Sequence, residues 1–213
     1  MILIVDIGLC NVGSVRNMLR RIGVLAEIVD RPAELAQGDA VILPGVGHFS
    51  EGMRRMRETG FADAVREAAL VKRKPVLGIC LGMQMLGISS EEGEAEGLGL
   101  VPAHFKKFDL ERMGERLPVP HMGWNTLTMR KSSPLLADMP PQSRFYFVHS
   151  YYAETDDPSI DICTTEYGLE FVSAYSRNNV MGVQFHPEKS HKFGMQLLRN
   201  FAAMQTAQAK VYA

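Results

Sequence analysis

The sequence predicts an α/β protein with a mostly parallel central sheet flanked by helices, and with an additional antiparallel β layer. In residues 1–86, short apolar runs alternate with segments whose apolar residues recur at helical spacing. From residue 98 to residue 183, short β-like runs are separated by turns rich in Pro and Asp, which is typical of antiparallel strands. No linker or internal repeat divides the chain, so we expect a single domain over residues 1–213.

The first part of the chain alternates strands with helices. Residues 11–22 put Val12, Val15 and Leu19 on one helix face. Apolar residues recur at helical spacing again between residues 53 and 69. The short apolar runs between these segments predict strands at residues 1–6, 24–29, 40–43 and 75–79. Since strands joined through helices run parallel, functional side chains should gather where these strands end.

The second part predicts shorter strands. Residues 89–97 are acidic and Gly-rich, which indicates an exposed loop. The β-like runs that follow are residues 101–105, 124–129, 145–148, 160–164, 171–175 and 180–185. Residues 190–205 place apolar side chains on one face and predict a closing helix that packs on the sheet.

Composition excludes several classes of protein. The 213 residues are 46% hydrophobic and 22% charged with a net charge of −1, which favours neither nucleic acid nor an anionic membrane as partner. The apolar start meets Asp6 without a basic segment, so we expect a strand rather than a signal peptide. No apolar run approaches the length of a membrane span. Three cysteines without metal-like spacing indicate a reduced, cytoplasmic protein. We expect no cofactor and no metal, because His186 and His191 lack a ligand spacing.

A cysteine stands in a turn with the spacing of a nucleophile elbow. The predicted strand at residues 75–79 runs into Gly78-x-Cys80-x-Gly82, the G-x-S-x-G pattern with Cys in place of Ser. Such a turn strains its central residue and brings backbone so close that its neighbours should lack a Cβ. The thiol would then lie at a helix N-terminus, which favours the thiolate. The alternative is a small buried hydrophobic residue, the commoner role of a free cysteine.

A base and its orienting acid follow another predicted strand. His186 comes at the end of the run 180–185, and Glu188 lies two residues further along. If strand alternation continues that far, both side chains point the same way and the carboxylate can hold the imidazole. The alternative is a histidine at a strand end beside a solvated glutamate. Together with Cys80, the pair predicts a Cys-His-Glu triad.

A glycine-rich loop lies at the same sheet edge. Gly45 and Gly47 flank Val46 just after the predicted strand 40–43, so backbone N–H groups can turn toward an anion. The segment could be a plain connection or a phosphate cradle, but the Lys-Ser/Thr of a phosphate loop is absent. We predict an oxyanion hole formed by Val46 and Gly47 with the Leu81 N–H.

These segments carry a resemblance to a known family. Residues 44–47, 78–84 and 185–188 together resemble the class I (triad) glutamine amidotransferases, whose sheet is flavodoxin-like. Within that superfamily, residues 121–125 and 146–151 resemble the glutaminase subunit of imidazole glycerol phosphate synthase, from histidine biosynthesis. The likeness covers essentially the whole chain.

The resemblance implies an activity and a substrate. Cys80 would attack the side-chain amide of L-glutamine and His186, oriented by Glu188, would protonate the leaving ammonia, after which the thioester is hydrolysed to glutamate. The residues implied to bind the α-amino and carboxylate groups of glutamine are Gly47, Gln84, Ser150 and Tyr151.

The resemblance also implies a partner. In the family the glutaminase forms a heterodimer with a (β/α)₈-barrel cyclase, which receives the ammonia through a tunnel. That partner makes imidazole glycerol phosphate and an aminoimidazole carboxamide ribonucleotide. The residues implied to lie at the docking face and ammonia exit are Met122, Trp124, Asn125 and Lys189. For Trp124, the only Trp, the alternative is core packing.

Two departures from the family pattern leave alternatives open. Residues 6–11 read Asp-Ile-Gly-Leu-Cys-Asn in place of the more usual Asp-Tyr-Gly-Met-Gly-Asn, which changes a loop near the bound glutamine. Residues 190–194, Ser-His-Lys-Phe-Gly, resemble a paralogous branch that supplies ammonia to a sugar amidotransferase in surface-polysaccharide biosynthesis. A different Cys–His hydrolase, a redox sensor and a non-catalytic regulatory subunit are further alternatives.

Overall fold

A computed structural model describes residues 1–111, 113–114 and 117–209. The predicted domain also includes residues 112, 115–116 and 210–213, which lie outside the described residues. The strands are β1 Ile2–Val5, β2 Ala26–Val29, β3 Ala40–Gly45, β4 Val76–Cys80, β5 Ser89–Ser90, β6 Ala103–Lys107, β7 His121–Thr126, β8 Thr128–Met129, β9 Arg144–His149, β10 Tyr151–Thr155, β11 Asp161–Glu166, β12 Glu170–Arg177 and β13 Val180–Val183. The α-helices are α1 Val12–Arg21, α2 Phe49–Glu58, α3 Phe61–Arg66, α4 Leu81–Leu86 and α5 His191–Ala209.

Five parallel strands form the centre of the main sheet. Their order is β2-β1-β3-β4-β13, and each pairs in parallel with its neighbour. The predicted α/β class is confirmed by this arrangement. Residues of β1 alternate between two apolar cores, with Leu3 and Val5 on one side and Ile2 and Ile4 on the other. The strand reads as a continuous apolar run because both faces are covered.

The antiparallel strands are distributed over two sheets. β12, β10 and β6 continue the main sheet beyond β13, so it runs from a parallel half into an antiparallel half. β7 and β9 form a separate two-stranded antiparallel sheet. The sequence pattern predicted a strand at residues 145–148 but missed β10, which starts at Tyr151, one residue after β9 ends.

The segment predicted as an exposed loop carries structure of its own. β5, at its start, pairs in parallel with β6, and Ser90 is buried. The Glu92 carboxylate accepts a hydrogen bond from the Phe49 backbone N–H at 2.9 Å, at the start of α2. Tertiary contacts thus order a stretch whose acidic, Gly-rich composition indicated only exposure.

The closing helix lies where it was predicted. Its span, His191–Ala209, begins one residue later than the predicted segment and continues past it, and Leu197, Leu198 and Phe201 are buried in the core. Within the described part of the chain, no helix is both long enough and apolar enough to cross a bilayer.

Candidate active site

Three neighbouring parallel strands bring the predicted site residues to one edge of the sheet. Gly45 at the end of β3 lies opposite Cys80 at the end of β4. Val183, the last residue of β13, lies opposite Ile79, and His186 follows three residues later. The carboxyl ends of these strands therefore hold the glycine loop, the thiol and the imidazole together.

Cys80 has the strained backbone of an elbow. Its φ is 54° and its ψ −112°, a conformation that L-residues with a Cβ rarely adopt. A Cβ on Gly82 would lie 1.7 Å from the Leu43 carbonyl oxygen, and one on Gly78 would lie 2.6 Å from the Met83 nitrogen. Both glycines are thus required sterically, because α4 begins directly against the backbone of β3 and β4.

The thiol has three polar neighbours. Cys80 is 6% exposed, and its Sγ lies 3.9 Å from the Val148 carbonyl oxygen. The Gln184 side-chain amide donates toward Sγ at 3.7 Å. His186 is the third neighbour and interacts with Cys80 electrostatically.

His186 and Glu188 form the predicted pair through a turn rather than through strand alternation. β13 ends at Val183, and Pro187–Lys189 form a turn of 3₁₀-helix. This turn brings Glu188 Oε1 to 2.7 Å from His186 Nδ1, and the bond leaves Nε2 as the nitrogen open to chemistry. His186 Nε2 and Glu188 Oε2 are buried, and neither has a hydrogen-bond partner among the residues the structure describes.

Electrostatics favour a protonated His186. Burial by itself would lower the pKa of the imidazole, because a charged ring is poorly solvated there. The Coulombic effect of Cys80 and the hydrogen bond to Glu188 act in the opposite direction and outweigh it, so the pKa of His186 is raised above its ordinary value. The site therefore suits an imidazolium beside a negative sulfur.

The other two thiols are poor nucleophiles. Burial raises the pKa of Cys10 to about 12, with Asp6 contributing in the same direction. Burial likewise raises the pKa of Cys163 to about 12. Both thiols stay protonated near neutral pH, and reactivity requires the thiolate.

The glycine loop lies against the start of α4. A Cβ on Gly45 would meet the Leu81 Cβ at 3.1 Å and the Gly82 nitrogen at 3.3 Å. Val46 and Gly47 are exposed, and Gly47 has a φ of 103°, which favours glycine. The segments predicted to supply the oxyanion donors are therefore adjacent.

A cavity of about 280 Å³ opens beside the triad. Its walls include Cys10, Gly45, Val46, His186 and Glu188. The size and the polar groups suit a small polar molecule rather than a polymer. Cys10, which departs from the family pattern, lines this cavity.

The residues implied to bind glutamine differ in burial and in position. Gln84 is buried, and its Nε2 donates to Gln184 Oε1 at 3.3 Å. Ser150 is the single residue between β9 and β10, where the chain passes from the two-stranded sheet to the main sheet. Tyr151 begins β10, and burial raises the pKa of its hydroxyl. Gln84 thus faces the protein interior, whereas Ser150 and Tyr151 form a bend beside the site strands.

Two buried histidines support that bend. His149 Nδ1 donates to the Tyr151 carbonyl at 2.8 Å, so its Nε2 accepts from His121 Nδ1 at 3.0 Å. The Asn125 amide completes the chain by donating to His121 Nε2 at 3.3 Å. Burial lowers the pKa of His121 to about 4 and that of His149 to about 3. Both rings are neutral, as this pattern of donors requires.

A match to a family model decides the family. The model described as glutamine amidotransferase class-I matches residues 3–204. The chain belongs to this family.

Its relatives in the family are similar over nearly their whole length. The protein named imidazole glycerol phosphate synthase subunit HisH 2 of Pseudomonas aeruginosa is 48% identical over 96% of this chain and 100% of its own. The protein with the same name in Methanococcus maripaludis is 46% identical, over 94% of this chain and 98% of its own. Subunit HisH of Sulfurimonas denitrificans is 47% identical, over 94% of this chain and 97% of its own.

Solved structures share the fold. A crystal structure titled glutamine amidotransferase superposes with a TM-score of 0.73 at 19% identity and covers 96% of this chain and 98% of its own. The structure of PurLQS from Thermotoga maritima gives a TM-score of 0.74 at 16% identity and covers 95% of this chain and 97% of its own. The class I amidotransferase fold expected from the sequence is confirmed.

Three of the predicted docking residues of this glutamine amidotransferase lie on the two faces of β7, and the fourth, Lys189, lies in the 3₁₀ turn Pro187–Lys189. Met122 is 61% exposed and Trp124 45% exposed, so Trp124 is not a core residue. The Lys189 ammonium lies 5.7 Å from the ring centre of Tyr146, beside Trp124. Asn125 points to the opposite side, where its amide bonds to His121 and the Glu166 carbonyl.

Sequence reasoning missed four residues of this site. Gln184, His121 and His149 are buried polar residues within apolar or aromatic strands, and that mismatch is the signal that could have revealed them. Tyr146 accepts the His186 backbone N–H at 2.9 Å through its carbonyl oxygen. A backbone contact of this kind leaves no trace in the residue type.

Proposed function

We propose that this chain is the glutaminase subunit of an imidazole glycerol phosphate synthase in histidine biosynthesis. The observation that carries the proposal is Cys80 on its strained elbow, beside a His186 that is bonded to Glu188 at 2.7 Å. The names of relatives 41–48% identical to the chain support the pathway. The free cysteines favour a reducing compartment such as the cytoplasm.

The reaction begins at Cys80. His186 Nε2 takes the thiol proton, and Sγ then attacks the amide carbon of glutamine to form a tetrahedral oxyanion. The Leu81 N–H and the N–H groups of Val46 and Gly47 stabilise that oxyanion. His186 returns its proton to the leaving nitrogen as ammonia departs.

Water then resolves the thioester. With ammonia gone, His186 accepts a proton from a water molecule, whose oxygen attacks the thioester carbon. The C–S bond breaks, sulfur recovers its electron pair, and glutamate leaves. Glu188 keeps the imidazole in the tautomer and orientation that both steps need. The Gly47 backbone, Ser150 and Tyr151 hold the α-amino and carboxylate groups of glutamine, whereas the Gln84 side chain is bonded to Gln184 in the interior.

The ammonia passes to a (β/α)₈-barrel cyclase in a heterodimer. Free ammonia would take up a proton in water and lose its nucleophilicity, so a sealed exit is required. Met122, Trp124 and Lys189 form the docking face, and Asn125 supports it from the inner side of β7. The exposure of two large apolar side chains on one strand supports an interface there.

The test is Cys80→Ala in the complex with the cyclase. Glutamine-dependent turnover should be abolished, while synthesis supplied with ammonium salts should continue at the wild-type rate. Cys163→Ala is the matched control, because that thiol is buried away from the cavity and should leave both rates unchanged. Surviving glutamine-dependent turnover in Cys80→Ala would refute the nucleophile assignment.

A second candidate keeps the glutaminase and changes the acceptor. The His191 ring stacks on Trp124 at 5.5 Å with an interplanar angle of 4°, so the Ser-His-Lys-Phe-Gly segment takes part in the docking face. This favours a partner of the polysaccharide branch, which would use the ammonia on a nucleotide-linked sugar. Complementation of a histidine auxotroph that lacks its own glutaminase subunit separates the two candidates.

A further inference from the structure

Gln184 is a buried amide directly after β13. Its side chain has no solvent exposure, and its backbone N–H donates to the Ser173 carbonyl at 2.9 Å. An amide in that position costs free energy unless both of its ends are bonded. The partners of the two ends therefore indicate what the residue does.

The two ends have different partners. Oε1 accepts the Gln84 side-chain N–H at 3.3 Å, and Nε2 lies 3.7 Å from Cys80 Sγ. Because the oxygen end is occupied by a donor, the NH₂ end is the one that faces the sulfur. Gln84 thus fixes the orientation of the Gln184 amide.

The sulfur lies between an acceptor and a donor. The Val148 carbonyl, 3.9 Å away, can only accept, so it suits the thiol S–H. The Gln184 N–H can only donate, so it suits the negative thiolate. Nearby His186 Nε2 is buried with no hydrogen-bond partner in the described residues, which leaves it open to receive the proton. The surroundings of Cys80 therefore accommodate the sulfur before and after deprotonation.

We propose that Gln184 is a further catalytic residue, whose side-chain N–H stabilises the Cys80 thiolate. The inference rests on the proposed role of Cys80 as nucleophile. When the S–H bond breaks and the proton moves to His186 Nε2, the electron pair stays on sulfur and the Gln184 hydrogen bond becomes charge-assisted. When the thioester is hydrolysed, the C–S bond breaks, its electron pair returns to sulfur, and the sulfur again accepts the hydrogen bond from the same N–H.

The test is the pH profile of alkylation. The full-length chain reacts with iodoacetamide over a range of pH, and peptide mass spectrometry follows Cys80 separately from Cys10 and Cys163. In Gln184→Met the midpoint of the Cys80 profile should rise by about one pH unit, and the rate at pH 7 should fall about tenfold. Gln184→Glu keeps the shape of the side chain and should raise the midpoint further, because a carboxylate repels the thiolate.

Ser173→Ala is the matched control. It alters the strand that holds the Gln184 backbone without touching Cys80, so the midpoint should not move. An unchanged midpoint in both Gln184 variants would overturn the proposal, and so would an equal rise in Ser173→Ala.

If the Gln184 variants do not fold, a measurement on the wild-type protein still tests the proposal. The Gln184 side-chain N–H proton resonance should move downfield as Cys80 deprotonates, and this movement should be absent in Cys80→Ala. A resonance that stays fixed would overturn the proposal. The proposed function fails on a different result, namely glutamine hydrolysis that survives in Cys80→Ala.

Discussion

The backbone of Cys80 is held in an unfavourable conformation by its packing. A residue with a Cβ in such a region costs of order 1–3 kcal/mol, which the surrounding contacts must offset. The contacts are backbone against backbone, since the position of a Cβ on Gly82 is occupied by the Leu43 carbonyl. The strained backbone of Cys80 is therefore possible only because Gly78 and Gly82 have no side chains.

Replacing Gly82 tests this dependence. Gly82→Ala should lower the free energy of unfolding by about 3 kcal/mol or prevent folding, because the added methyl overlaps the backbone of β3. Gly23→Ala is the control, since Gly23 has a φ of 76° with no atom near the position of a Cβ, and should cost only about 1 kcal/mol. Urea unfolding measures both, and equal losses would show that the close approach is unimportant.

After the larger effect of Cys80, the carboxylate of Glu188 also raises the pKa of His186. In Glu188→Gln the hydrogen bond loses its charge, so the pKa of His186 should fall toward its ordinary value. Because the pKa of His186 is raised in the folded chain, the protonated imidazole stabilises the fold fully below pH 6.5, and this stabilisation is lost as pH rises through about 10. At neutral pH the Glu188→Gln variant should therefore have a lower free energy of unfolding than wild type. Glutamine hydrolysis should drop at least about 10²-fold, as measured by glutamate release. A variant as active as wild type would contradict this role.

At the scale of elements, β9 joins two parts of the site. One side of its backbone pairs with β7, which carries Met122 and Trp124. The other side contacts the catalytic groups, since the Tyr146 carbonyl accepts the His186 N–H and the Val148 carbonyl faces Cys80. The docking strand and the nucleophile are thus separated by one strand, and a displacement of β7 would act on the site through β9.

The buried histidines in this two-stranded sheet should make folding sensitive to acid. Their pKa values in the folded chain, about 4 and about 3, lie below the unfolded value of 6.5, so only the unfolded chain gains protons between those limits. Stability is therefore complete above pH 6.5 and falls as pH decreases toward 4. Each ring should account for about 2 kcal/mol between pH 6.5 and 5.

Histidine ring resonances measure this directly. Those of His121 and His149 should not titrate between pH 8 and 5. Titration of either buried ring near pH 6.5 would contradict the hydrogen-bond chain.

At the scale of the molecule, the proposed docking face lies beside the candidate active site. Its exposed members are Met122 and Trp124, with Lys189 placed over Tyr146 at the edge of the catalytic turn. Aromatic residues with one face open to solvent are frequent anchors in interfaces. A partner bound at this proposed face would lie close enough to the candidate active site to collect ammonia.

Removal of the Trp124 ring should weaken the heterodimer without affecting the fold. Trp124→Ala should raise the Kd for the cyclase about 10–10²-fold, since interface anchors contribute about 2 kcal/mol or more. Leu25→Ala is the control. Leu25 is 69% exposed and directly precedes β2, the edge strand of the main sheet, so its replacement should leave Kd unchanged. Isothermal titration measures both, and equal affinities of the two variants would place the partner elsewhere.

The isolated subunit should be a poor glutaminase until partner and acceptor bind. The proposed oxyanion donors Val46 and Gly47 lie in an exposed glycine loop, and losing one such donor lowers the rate about 10²–10³-fold. Glutamate release by the chain alone should therefore rise by a similar factor in the complex. Strong activity of the lone subunit would contradict activation by the partner.

The fold class, and the prediction of Cys80, His186 and Glu188 as a triad, followed from local patterns in the sequence. Apolar runs of strand length, helical spacing and the glycines around Cys80 each report a steric or solvation requirement of nearby residues. Such requirements act on the residue type at that position, so they can be read without coordinates.

Other features depended on the tertiary structure. The His186–Glu188 contact arises from a 3₁₀ turn, the inward direction of Asn125 from the pleat of β7, and the position of Gln184 against Cys80 from the packing of β13 beside β4. Each joins residues through space, and a long-range contact leaves no period or spacing in the chain. The sequence by itself determined which groups are available for chemistry; the packing of strands decided which of them touch the sulfur.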